Sequence, residues 1–248
     1  IRTSVLRNIP SNMYLYEIFK RINSGSEKLS PQELRQSKYP GLFTSYLIEQ
    51  SQNSDRIQKV LKINRVHARM RDVELLLRCY AYKFNLEQYN NSISRFLDDT
   101  TQKYNEIWNI KENELKSFNK QIEEAIDLTF KVFKEDAFSL IGLDREKKSF
   151  NRPMFDLMIY FLSDHQIRES ILNKFEGSLD EFKSIFETKF AENSKLVAAV
   201  SINTHQTLHT LERFVYTYDI LEDILDGSID NTDIENARIR LQKLLDEE

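Results

Sequence analysis

Glycine and proline are scarce in this chain of 248 residues, with 5 Gly and 4 Pro, against roughly 7% and 5% in average usage. So few turn-formers imply long elements, which runs against a glycine-rich sandwich, a collagen-like repeat or a Rossmann fold with its glycine turn. Cysteine is rarer still. Cys79 stands alone, which rules out an internal disulfide and a cysteine-based zinc site and fits a reducing cytoplasm. No apolar run approaches the roughly 18 residues of a bilayer span, and mean hydropathy is −0.53. The Gly-x-x-x-x-Gly-Lys, Gly-x-Gly-x-x-Gly and Gly-x-Ser-x-Gly signatures are missing as well. No residue is therefore expected to be catalytic in this chain alone. A signal-peptide pattern and an initiating Met are also missing. The opening Ile1-Arg2-Thr3-Ser4-Val5-Leu6 alternates like a strand, as if the chain started in the middle of something larger.

What is present favours helix. The chain is 40% hydrophobic and 11% aromatic. Residues 1–9 read as a strand closed by Pro10, and Ser11 caps a helix over 12–23 with Leu15, Ile18, Phe19 and Ile22 on one face. Ser24-Gly25-Ser26 ends it. Ser30-Pro31-Gln32-Glu33 is a capping box with Pro at the first helical position. Further helices are expected over 42–51, 54–62, 68–84, 152–163, 165–174, 178–192, 203–226 and 231–246. The stretch 91–134 lacks a sustained heptad and reads as a bent or broken helix of a bundle. A boundary near Ser37 then divides the chain into 1–36, a strand–helix remnant of an α+β domain, and 37–248, a helical domain. The fold class is mainly α.

Acidic residues outnumber basic ones, 39 to 35, for a net charge of −4. The whole molecule is thus no basic nucleic-acid binder, although phosphate contacts depend on the face presented. Lys59, Lys62, Arg65, His67, Arg69 and Arg71 fall within thirteen residues. Of these, Lys62, Arg65, Arg69 and Arg71 are the DNA-contact candidates, set against a solvated face paired with acidic neighbours. Arg69 and Arg71 are expected on different faces of one helix. His205, His209 and Glu212 have a spacing that can bind zinc on a helix, but nothing nominates further ligands, so no metal is assigned. Asp219, Glu222, Asp223 and Asp226 form an acidic stripe that reads as a solvated face or a dock for a basic partner. The aromatic pairs around Tyr80, Phe155 and Phe214 read as core.

The sharpest local text is Phe19-Lys20-Arg21-Ile22-Asn23-Ser24-Gly25-Ser26-Glu27-Lys28-Leu29, running on to Glu33-Leu34. Arg21 and Asn23 end a helix beside a polar glycine turn. They either brace that turn, as helix ends require, or offer an anion a planar fork and an amide. This Phe-x-Arg-x-Asn-x-Gly pattern resembles a motif of the ParB/sulfiredoxin-like family associated with GmrSD-type, modification-dependent restriction systems. Tyr39-Pro40-Gly41-Leu42-Phe43, Arg71-Asp72-Val73-Glu74-Leu75-Leu76-Leu77-Arg78 and Arg95-Phe96-Leu97-Asp98 are similar to later parts of that family. Asn151-Arg152-Pro153-Met154-Phe155-Asp156 and the stretch 201–213 are weaker echoes.

The resemblance implies a nucleotide-handling, anti-phage defence protein. Phe19, Arg21, Asn23 and Gly25 would be half of a nucleotide site for GTP or ATP with Mg2+. The other half, an Asp-Gly-Gln-Gln-Arg motif, does not occur in these residues. The expected partners are DNA, including modified phage DNA, a partner nuclease and further copies of the chain, with no membrane. By the weak echo alone, Arg213 is a candidate for an anion or partner contact. The rival reading is a non-enzymatic helical docking or oligomerisation module.

Overall fold

The structure, a computed structural model, describes residues 29–63, 67, 69–142, 149–227 and 232–247. The strand expected over 1–9, the helix over 12–23 and Arg65 lie outside the described residues. Among the described residues there are twelve α-helices and no strand: α1 Pro31–Lys38, α2 Leu42–Asn53, α3 Asp55–Leu61, α4 Arg71–Asn85, α5 Ile93–Glu106, α6 Trp108–Phe133, α7 Arg152–Leu162, α8 His165–Lys174, α9 Leu179–Glu192, α10 Ser194–Ser201, α11 Thr207–Leu225 and α12 Thr232–Asp246. The protein is mainly α. None of these helices is long and apolar enough to cross a membrane.

The helices start where local chemistry says they should. Ser30 caps α1 in a complete capping box: Glu33 N–H donates to Ser30 Oγ at 3.2 Å, and Ser30 N–H donates to Glu33 Oε2 at 2.5 Å. Ser54, Ser92, Asn151 and Asp164 cap α3, α5, α7 and α8 in the same way, each satisfying an otherwise orphaned first-turn amide. The long stretch is two helices, broken at Ile107, where Trp108 turns inward beside Tyr46 at 5.2 Å between ring centres. One helix is an addition to the sequence reading. Ser194–Ser201 is only eight residues, capped by Asn193 and anchored by buried Leu196, Ala199 and Val200.

Two helices form the centre. In α4 every residue from Leu75 to Tyr82 is buried, and in α7 every residue from Pro153 to Leu162. A helix apolar all round has to lie inside a domain. Around this pair α2, α3 and α5 cover α4, α6 covers α7, and α9, α10 and α12 pack on α11. Aromatic side chains fill the interior as the composition suggests, with Tyr82, Tyr160 and Phe161 gathered on Phe214. Each fully buried Phe or Leu contributes about 1.5–3 kcal/mol of transfer free energy.

The first helix is docked to the body. Arg35, 3% exposed, donates from Nε to Asp98 Oδ1 at 2.8 Å and from Nη2 to the Ser94 carbonyl at 3.3 Å, both on α5. The 36/37 division therefore falls within a helix tied to α5. Ahead of α7 the chain pairs briefly with itself. Ser139 and Phe150 form an isolated antiparallel bridge, and Asn151 N–H donates to the Phe138 carbonyl at 2.8 Å, which fixes the start of α7.

Candidate functional site

The two central helices each bury one charge, and the charges meet. Arg78 of α4 donates from Nε to Asp156 Oδ1 at 2.9 Å and from Nη2 to Oδ2, with the Asp156 side chain fully inside. Burial pulls the Arg78 pKa down, and the Asp156 carboxylate more than offsets this, so the guanidinium stays charged above the usual arginine range. A bidentate fork of this kind fixes the register of α4 on α7.

A second arginine lies nearby without such a partner. Arg213 of α11 is 1% exposed. It donates from Nη1 to the Thr204 carbonyl at 2.7 Å and from Nη2 to the Tyr82 hydroxyl at 3.1 Å. Its Nε finds no acceptor, and no carboxylate among the described residues pairs with it. Burial pushes the Tyr82 phenol up to about 12, against the pull of Arg213 and Arg78.

Arg78, Arg213 and the exposed Arg152 line one cleft of about 490 Å³. Phe150 and Tyr89 supply aromatic wall, and no carboxylate among the described residues lines it. The loop before α11 is held in place at its edge. Tyr89 Oη donates to the His205 carbonyl at 2.6 Å, Asn91 N–H donates to Thr207 Oγ1 at 2.9 Å, and Thr207 N–H donates to Asn91 Oδ1 at 2.6 Å.

Two more hollows continue outward around Phe150. One of about 400 Å³ is bordered by Lys62, Arg71, Arg78 and Arg152, with Glu74 as its one carboxylate. The next, of about 520 Å³, is bordered by Lys59, Lys62 and Lys134. Lys134 is paired with Asp180 at 2.6 Å, and Lys59 lies 4.0 Å from the Phe130 ring centre. Lys62, Arg71 and Arg152 are exposed and have no ion pair among the described residues.

The sequence-level candidates fare differently. Phe19, Arg21, Asn23 and Gly25 lie outside the described residues, as does Arg65. Lys62 and Arg71 come together on the middle hollow. Arg69 does not join them. It precedes α4 and pairs with Glu33 at 3.3 Å, so Arg69 and Arg71 are not two faces of one helix. The reason is Met70, whose left-handed backbone (φ 53°) starts the helix three residues later than the apolar pattern suggests. His205 stands in the loop before α11, so the two histidines do not share a helix. His209 Nδ1 instead meets Glu212 Oε2 at 3.1 Å. No group of three or more metal-ligating side chains occurs among the described residues. The acidic stripe lies at the surface and pairs within the chain: Asp219 with Arg238 at 2.6 Å, Asp223 with Lys189 at 2.5 Å, and Asp226 with Lys174. These pairs tie α11 to α12 and α9 and brace the end of α8.

Compared with family models, curated proteins and solved structures, the chain matches none. The site thus stands on its geometry. Sequence reasoning on local chemistry missed Arg78 and Arg152. The available signal was a lone Arg inside Leu75-Leu76-Leu77-Arg78-Cys79-Tyr80 and a lone Asp inside Met154-Phe155-Asp156-Leu157, a charge in each apolar run. Such a charge needs a buried partner or a ligand.

Proposed function

We propose that this chain is the helical recognition part of a nucleotide-dependent anti-phage restriction protein, and that it engages DNA phosphates along the trough around Phe150. One observation carries the reading: Lys62, Arg71 and Arg152, brought from three separate segments, border one hollow as exposed cations without ion-pair partners among the described residues. Arg69, Lys134 and Lys189, by contrast, pair with carboxylates. Lys62 adds a second indication. Its backbone is left-handed (φ 54°), a conformation that costs a side-chain-bearing residue roughly 1–2 kcal/mol and that glycine would adopt more readily. A cation kept at such a position points to use of its charge.

The resemblance supplies the rest of the reading. Phe19, Arg21, Asn23 and Gly25 contribute half of a GTP or ATP site with Mg2+, completed by an Asp-Gly-Gln-Gln-Arg segment of the complete protein. The helical body relays the nucleotide state to DNA or to a partner nuclease. The rival docking-module reading draws on the all-helical composition, the missing catalytic motifs and the acidic stripe; of the stripe's four carboxylates, three pair with cations of the same chain.

Two experiments test the halves separately. Arg21→Ala in the complete protein should abolish nucleotide binding and turnover; unchanged turnover would remove Arg21 from the site. Lys62→Ala/Arg71→Ala should weaken duplex DNA binding with the nucleotide activity retained. DNA affinity equal to that of the unaltered protein would refute the trough.

A further inference from the structure

A guanidinium buried to 1% exposure, with no carboxylate partner among the described residues, has only the rings of Tyr82 and Phe214, each 5.8 Å away, to offset its charge. Taking such a charge out of water costs several kcal/mol even after relaxation, which is why buried arginines are nearly always paired. Arg78 obeys the rule through Asp156, whereas Arg213 does not. Its two bonds are to neutral oxygens of Thr204 and Tyr82, which satisfy N–H groups but not the charge. What Arg213 does have is a border on the cleft of about 490 Å³, shared with Arg78 and with unpaired Arg152. Three positive charges face one negative charge, that of Asp156. Among the described residues the surplus is two, and none of those lining the cleft is acidic.

From this surplus we infer that the cleft is a binding site for a phosphoryl group, with Arg213, Arg78 and Arg152 as its cationic donors. A phosphate monoester carries close to two negative charges near neutral pH, which matches the surplus, and arginine forks suit its oxygens. The aromatic wall of Phe150 and Tyr89, and a volume within the roughly 300–1,000 Å³ of small-molecule sites, leave room for an organic body attached to the phosphate. A free nucleotide and the phosphorylated end of a nucleic-acid strand both present this chemistry. The cleft shares Arg78 and Arg152 with the DNA trough, and the inference adds Arg213, which the trough does not touch.

The test is calorimetric titration of the complete protein at constant ionic strength. The probes are inorganic phosphate, adenosine monophosphate, and a short duplex with and without a 5′-phosphate. Three variants are compared: Arg213→Met, Arg152→Ala and Lys62→Ala/Arg71→Ala. Arg152 has no partner to lose, so its variant keeps the inference testable even where Arg213→Met disturbs the loop at Thr204. Saturable binding of phosphate or adenosine monophosphate is expected, weakened about tenfold or more by Arg152→Ala and by Arg213→Met, and unchanged by Lys62→Ala/Arg71→Ala. Tighter binding of adenosine monophosphate than of phosphate assigns the cleft to a free nucleotide. A gain confined to the 5′-phosphorylated duplex assigns it to a strand end. The inference is overturned by absence of saturable binding for every probe, or by affinities that Arg152→Ala and Arg213→Met leave intact.

Discussion

Asp156→Ala is the most informative single change in the core. The Asp156 side chain is fully buried and the Arg78 side chain is 8% exposed, and the two share a bidentate contact between α4 and α7. Removing the carboxylate leaves the guanidinium inside the protein with no counter-charge. Breaking a buried pair from one side costs about 3–5 kcal/mol, a large fraction of the roughly 5–15 kcal/mol that stabilises a folded protein. With a urea dependence of about 3 kcal/mol per molar, the unfolding midpoint should fall by about 1–2 M. The double change Arg78→Met/Asp156→Leu removes both charges and keeps the volume, so it should lie close to the parent. Circular dichroism in phosphate-free urea titrations measures both. A single variant within about 1 kcal/mol of the parent, or a double variant as weak as the single, would refute the assignment of this pair as the α4–α7 lock.

Alkaline pH should unfold the protein through its tyrosines. Burial pushes the Tyr82 and Tyr104 phenols up to about 12 from 10.0. Between those values the native state holds protons that the unfolded state has released, so stability is complete below pH 10 and lost as pH rises toward 12. Tyrosinate absorbance should therefore appear together with loss of the helical signal; titration of most of the 11 tyrosines near pH 10 with the helices intact would contradict it. Asn105→Ala should cost about 1–3 kcal/mol, because Thr44 N–H, which donates to Asn105 Oδ1 at 3.1 Å, is left unpaired and the Tyr39 carbonyl keeps only the Thr44 hydroxyl of its two donors. Gly41→Ala should do similar damage, since a Cβ there would land on the Asn105 side chain. Thermal melts of the two variants check this, and parent-like melting would sink it. Arg35→Ala should release α1 at a cost of about 1.5–3 kcal/mol, seen as faster amide exchange confined to Pro31–Lys38; uniform exchange rates would show that Arg35 does not hold it.

The helical architecture was legible because its signals are local. The Ser30-Pro31-Gln32-Glu33 box, the Asn151 cap before Pro153 and the apolar runs of α4 and α7 announce themselves within a few residues. Helix α10 was not legible, since eight residues give too few turns for a periodicity. Met70 misled for a different reason: an apolar residue in a left-handed conformation extends the pattern while holding back the helix start. The cleft was the least legible. Arg78, Arg152 and Arg213 come from helices far apart in the chain, and only packing brings them together. The same holds for the acidic stripe, whose cationic partners Arg238, Lys189 and Lys174 arrive from neighbouring elements.

The central claim, that the trough holds DNA phosphates, is tested most directly by fluorescence anisotropy of a labelled duplex across a series of salt concentrations. Each phosphate contact adds about −0.9 to the slope of log affinity against log salt, so Lys62, Arg71 and Arg152 alone predict a slope of about −3. Arg71→Ala should reduce its magnitude by about one. A slope near zero in the parent, or one that Arg71→Ala leaves unaltered, would contradict the account.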